Sequence, residues 1–173
     1  MEINNYFDQK RELHKDLLSF IENDDDNSVN YQSFINKLKN SKSKEELKDF
    51  FILLLKIANN HHRSPKFFQK IEQILTDLES EIKTNFSNTE LYQIFQKNKV
   101  ILLFLVTKNI IKIDKSIADL ILKRKDIKGI KICQYFLPEI KPFISEQTFK
   151  QIEDLILEKN PDFYTDFNEK RQK

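Results

Sequence analysis

Apolar residues recur at helical spacing along almost the whole chain. Ile3, Tyr6, Phe7, Leu13, Leu17, Phe20 and Ile21 mark a first amphipathic helix. It ends at Asn23-Asp24-Asp25-Asp26-Asn27-Ser28, a run of acids and turn formers that predicts a solvated loop over 23–28. Tyr31, Phe34, Ile35 and Leu38 define a short second helix. Ser43 and Glu46 then stand at capping-box spacing before a run from Phe50 to Ile57, apolar on so much of its circumference that neighbours must cover it on more than one side. Ser64-Pro65 predicts the start of a helix lined by Phe67, Phe68, Ile71, Ile74, Leu75, Leu78 and Ile82, with proline in the first turn where its missing amide hydrogen costs nothing.

A second capping box, Ser87 to Glu90, opens a helix with Leu91, Ile94 and Phe95, and Asn98 breaks it before the apolar run Val100 to Val106. Asp114 or Ser116 caps a helix bearing Ile117, Leu120, Ile121 and Leu122. Gly129 interrupts the next segment, and Pro138 and Pro142 bound a turn-like stretch. Ser145 caps a last strong helix through Phe149, Ile152, Leu155 and Ile156, which Asn160-Pro161 ends. No strand pattern competes, and the Ile-rich stretch Asn109 to Asp114 reads as an extended connection. The fold class is therefore all-α, with about eight or nine helices joined by roughly two to six residues each. Links that short make sequential helices antiparallel neighbours. The expected architecture is an irregular stack of antiparallel helical hairpins in a single domain over 1–173, solenoid-like rather than a regular four-helix bundle. Residues 98–114 read like the second helix and exit of an ankyrin-type repeat, but no period near 33 recurs and its Thr-Pro-Leu-His opening is absent.

Composition narrows the chemistry. The 173 residues contain one glycine, Gly129, so Gly-rich phosphate loops, dinucleotide fingerprints and nucleophile elbows cannot be built. Cys133 is the only cysteine, which excludes an internal disulfide and a four-cysteine zinc site and points to a reducing, cytoplasmic setting. It lies among Ile132, Tyr135 and Phe136 and reads as a buried small hydrophobe. The longest apolar runs are far shorter than the roughly 20 residues of a membrane span. His61-His62 is the one stretch with a chemical look. Adjacent histidines point to different faces, so the pair reads as a helix end meeting its negative dipole rather than as a metal site. Asp24-Asp25-Asp26 lacks the glycine and closing glutamate of a calcium loop. No nucleophile or general base is paired with an orienting partner, so no catalytic, cofactor or metal residue is assigned and no enzyme is expected.

Two surfaces remain as interaction candidates. The net charge is only +2, yet residues 97–131 carry ten basic and three acidic side chains. Lys123, Arg124, Lys125, Lys128 and Lys131 are the densest part of that tract, a candidate polyanion patch over 123–131 for nucleic acid or an anionic surface. Phe163, Tyr164 and Phe167 follow Pro161 and are too aromatic for a disordered tail. Their spacing fits a turn or two of helix folded back on the preceding hairpin, or lying against whatever comes next, and makes 161–173 a candidate junction.

The segments Asn59-Asn60-His61-His62-Arg63-Ser64 and Tyr135-Phe136-Leu137-Pro138-Glu139-Ile140-Lys141-Pro142-Phe143 add a resemblance. With Phe67 to Leu75, Phe86-Ser87-Asn88, Ile94-Phe95 and Leu102 to Leu105, they make residues 50–170 similar to the helical N-terminal region of a large family of protist ankyrin-repeat proteins. The resemblance implies a non-enzymatic protein–protein interaction module that packs on or caps a following ankyrin array, its partner being either that array or a separate protein. Polyanion binding through 123–131 is the alternative. The matched positions are fold markers and carry no catalytic or ligand role.

Overall fold

The computed structural model describes residues 15–21, 28–40, 43–60, 65–123 and 134–172. Among them the chain is all-helical, with no strand. It divides into two compact units, Met1–Ile101 and Leu102–Lys173.

The first unit holds α1 (residues 15–21), α2 (Ser28–Lys39), α3 (Lys44–Asn60), α4 (Pro65–Asp77), α5 (Glu79–Asn85), α6 (Asn88–Phe95) and the first turn of α7 (Lys99–Thr107). Its centre is α3, as the apolar run around Phe50 requires: Leu47, Phe50, Phe51, Leu54, Leu55, Ile57 and Ala58 are all buried. Phe51 lies 5.8 Å from Phe86 and 5.3 Å from Phe95 by ring centroid, and Phe50 meets Phe34 edge-on at 5.8 Å. Offset aromatic pairs of this kind contribute roughly 0.5–1.5 kcal/mol each beyond the area they bury. At the other edge Phe20 of α1 stacks on Tyr31 of α2 at 4.5 Å. Lys70 of α4 donates to the carbonyls of Phe20 and Ile21 at 2.8 and 3.3 Å, satisfying acceptors at the end of α1 while its ammonium lies 5.5 Å from the Phe20 ring.

The stripe from Phe67 to Ile82 predicts one helix, and the structure bends it into two at Leu78. The hydroxyl of Thr76 donates back to the Glu72 carbonyl at 2.8 Å, a pattern that bends helices. The apolar face is unbroken, because Ile71, Ile74, Leu75, Leu78 and Ile82 are buried in series. Lys44 reaches Glu90 near the start of α3 and α6, while Asn98 donates to Asn59 at 3.0 Å near their ends. Those two contacts fix α3 and α6 side by side and pointing the same way, with α4 and α5 as the return leg between them. This is how stacked helical hairpins place every second helix.

In the second unit α7 ends at a left-handed cap. Asn109 has φ of 60°, its amide donates to Val106 at 3.1 Å, and the amide of Ile110 donates to Leu105 at 2.9 Å. Ile110 and Leu105 are both buried, supplying the apolar contact such a cap requires. Residues 110–114 form the irregular connection with Ile110, Ile111 and Ile113 turned inward, and the Asp114 carboxylate accepts from Ile117 at 3.0 Å to start α8 (Lys115–Lys123). Further on, α9 (Leu137–Ile140) and a 3-10 turn (Lys141–Phe143) each carry proline in the first turn. Ser145 accepts from Thr148 at 3.1 Å to start α10 (Glu146–Lys159). After Asn160-Pro161 the chain forms α11 (Phe163–Gln172).

Candidate functional site

The residues nominated from the C-terminal aromatic pattern fall on the first turns of α11, and the structure separates their roles. Phe163 is buried in a small core with Leu137 and Ile156, against which Phe149, Ile152, Leu157 and Phe167 pack. Its ring lies 5.2 Å from both Tyr164 and Phe167. Tyr164 is 41% exposed, and so is a neighbour of Ile156 in sequence, Leu155, at 48%. The Tyr164 hydroxyl donates to the Glu153 carboxylate of α10, pinning α11 to that helix. Partial burial first, and then that carboxylate, push the Tyr164 hydroxyl up to about 12. A shallow cleft of about 80 Å³ opens beside the cluster, lined by Leu103, Gln134, Tyr135, Asn160, Phe163, Asp166 and Phe167. Leu103, Phe163 and Phe167 give this depression its apolar lining, and Gln134, Tyr135, Asn160 and Asp166 its polar groups.

Of the basic tract, Lys123 is exposed at the end of α8, and Arg124, Lys125, Lys128 and Lys131 lie outside the described residues. His61, His62, Cys133 and the acidic stretch 23–27 also lie outside them. Among the described residues no group of three or more His, Cys, Asp or Glu side chains is placed to hold a metal ion, and no helix is long and apolar enough to cross a membrane.

Sequence reasoning missed a second concavity, in the first unit. An open groove of about 420 Å³ runs between the co-directed helices α3 and α6. Lys44, Lys48, Ile52, Leu55, Lys56 and Asn59 form one wall, repeating at three- and four-residue steps down one face of α3. The other wall is Phe86, Glu90, Gln93, Ile94 and Lys97. At its head Glu90 has three tasks: it accepts from the Ser87 amide at 3.2 Å, its own amide donates to the Ser87 hydroxyl at 3.2 Å, and its carboxylate pairs with Lys44. The hydrogen bond from Lys44 first, and then the Ser87 amide, hold the Glu90 carboxyl below the usual glutamate value. Lys44 also sits 5.4 Å above the Phe86 ring. The signal that could have found this groove is the lysine spacing at 44, 48 and 56 on one helix face, but which helix supplies the opposite wall is a tertiary fact.

Comparison with known protein families, with characterised proteins and with solved structures finds no match to this chain.

Proposed function

We propose that the chain is a non-enzymatic helical protein–protein interaction module whose C-terminal helices pack on an adjoining ankyrin-repeat array. The observation that carries this reading is the split character of α10 and α11: Ile156 and Phe163 anchor the pair internally, while Leu155 and Tyr164 turn large apolar surface outward. An end unit of a repeat array has just this task, because the array's terminal repeat exposes an apolar face that a helical domain with one polar side covers. The exit of α7, with its left-handed Asn109 and inward Ile110 and Ile111, falls in the segment 98–114 whose sequence reads like the second helix and exit of an ankyrin-type repeat, and supports the same assignment. Extension of the natural reading frame beyond Lys173 tests the reading. Ankyrin-type repeats in frame are the expected result. A termination codon there, together with a monomeric protein indifferent to Leu155→Lys and Tyr164→Lys in its association, would overturn it.

A further inference from the structure

The shallow cleft beside α11 is anionic as well as aromatic. Leu103, Tyr135 and Phe167 line it, and each is half-buried, so each keeps open surface there. Phe163, buried and 5.2 Å from Phe167 by ring centroid, fixes that ring from the core side. None of the described residues lining the cleft is basic. Asp166 is exposed, and among the described residues no side chain forms an ion pair with its carboxylate. Asp162, also exposed, stands one helical turn earlier, its carbonyl accepting from the Asp166 amide at 3.1 Å, so two carboxylates share this edge. Asn160 is the C-cap of α10 and brings the negative end of that helix's dipole to the same rim. A carboxylate, a helix C-terminus and aromatic side chains together favour a cation carried on an apolar stem. At about 80 Å³ the cleft takes the end of one side chain, where a drug-sized molecule needs roughly 300 Å³ or more.

We propose that this cleft seats an arginine of the partner protein, its methylene stem against Leu103, Tyr135 and Phe167 and its guanidinium on the Asp166 carboxylate. Arginine suits this lining better than lysine. The planar guanidinium stacks on aromatic rings and carries its donors in a fixed fork, and the side-chain amide oxygens of Gln134 and Asn160 offer acceptors for the donors that Asp166 does not take. Arginine seated among aromatic side chains is also the kind of residue that carries a large share of binding energy at protein contacts. The inference deepens the reading of α10 and α11 as a protein contact and rests on it only for the source of the arginine, since neither Leu155 nor Tyr164 lines the cleft.

The test follows NMR shifts of the full chain during titration with acetyl-arginine amide, acetyl-lysine amide and acetyl-citrulline amide, the last having the shape of arginine without its charge. Arginine should move the Tyr135, Asp166 and Phe167 resonances saturably. Lysine and citrulline should bind roughly three- to fivefold more weakly or worse, the range that an exposed ion pair supplies. Asp166→Asn, at an exposed position, should lose a similar factor for arginine and nothing for citrulline. Added salt should weaken arginine more than citrulline. Citrulline or lysine binding as tight as arginine, or arginine binding unchanged in Asp166→Asn, would overturn the proposal, the first of these leaving only an apolar notch. The citrulline comparison needs no variant and so holds even if Asp166→Asn does not fold. Leu155→Lys, which tests the array contact, should leave the arginine titration unchanged, so a failure of that contact is distinguishable from a failure of the arginine site. Arginine binding lost in folded Leu155→Lys would overturn its placement in the cleft.

Discussion

Asn98 is a buried polar residue, 4% exposed, and both ends of its amide are used. Its oxygen accepts from the Ile101 amide at 3.1 Å, starting α7, and its nitrogen reaches Asn59. The sequence shows that a helix breaks at Asn98; that the breaker also ties α6 to α3 depends on a partner 39 residues away and cannot be seen in a local pattern. Asn98→Ala should cost about 1–3 kcal/mol in chemical denaturation because it leaves the buried Ile101 amide without its cap and removes the link to Asn59. Asn98→Asp, which keeps the capping oxygen, should cost less. Equal losses would mean that the cap contributes little. Asn109 offers a second residue-scale test: its φ of 60° disfavours a β-branched side chain, so Asn109→Val should destabilise by about 1–2 kcal/mol while Asn109→Gly is tolerated.

Charge enters at the same scale through Glu90, whose carboxyl is held low in the folded state. Its stabilising effect is complete above the unfolded carboxyl value and is lost as pH falls through the lowered folded one. Carbon-detected NMR titration should place Glu90 below the ordinary glutamate value, and Lys44→Met should move it back up. A Glu90 titration unaffected by that substitution would remove Lys44 as the cause.

Among the helices, starts and stops were the most legible features. Ser87 with Glu90, Asp114 and Ser145 all act as the local pattern indicates, since a cap is written within four residues of chain. Ser87→Ala should cost about 1 kcal/mol. The bend at Leu78 was not legible, because the apolar stripe runs through it unchanged and only the Thr76 hydroxyl marks the site. The aromatic spacing after Pro161 leaves open a helix folded back on the preceding hairpin or one lying against whatever comes next, and one-dimensional spacing assigns the three aromatics no separate roles. The structure does: Phe163 anchors and Tyr164 faces out. The Tyr164 hydroxyl, raised to about 12, contributes stability that is complete below the unfolded phenol value of about 10 and is lost as pH rises through the folded one. Ultraviolet difference titration against Tyr164→Phe should therefore show one late-titrating tyrosine, accompanied by loosening of α11 at alkaline pH. A tyrosine titrating at the ordinary value would break the Glu153 link.

For the whole molecule, the all-helical class followed directly from periodicity, whereas the juxtaposition of α3 and α6 did not. It depends on the return leg α4–α5, and the groove it creates joins lysines from position 44 to position 97. The second unit has its own core around Leu137, Ile156 and Phe163. Phe163→Ala should cost that unit about 3–5 kcal/mol, the usual loss for removing a buried phenylalanine. Hydrogen exchange should quicken across 134–172 and stay unchanged over 44–60, whereas a uniform rise in both would mean that the units open together.

The outward surface on α10 and α11, carrying Leu155 and Tyr164, is where the proposed contact with a repeat array is tested. Its most direct measurement is hydrogen exchange at Leu155 and Tyr164, compared between the 173-residue chain and the chain extended by its natural downstream sequence. Slower exchange at both positions is expected in the extended protein, with a higher thermal midpoint and less concentration-dependent association. Identical exchange at Leu155 and Tyr164 in the two proteins would contradict it.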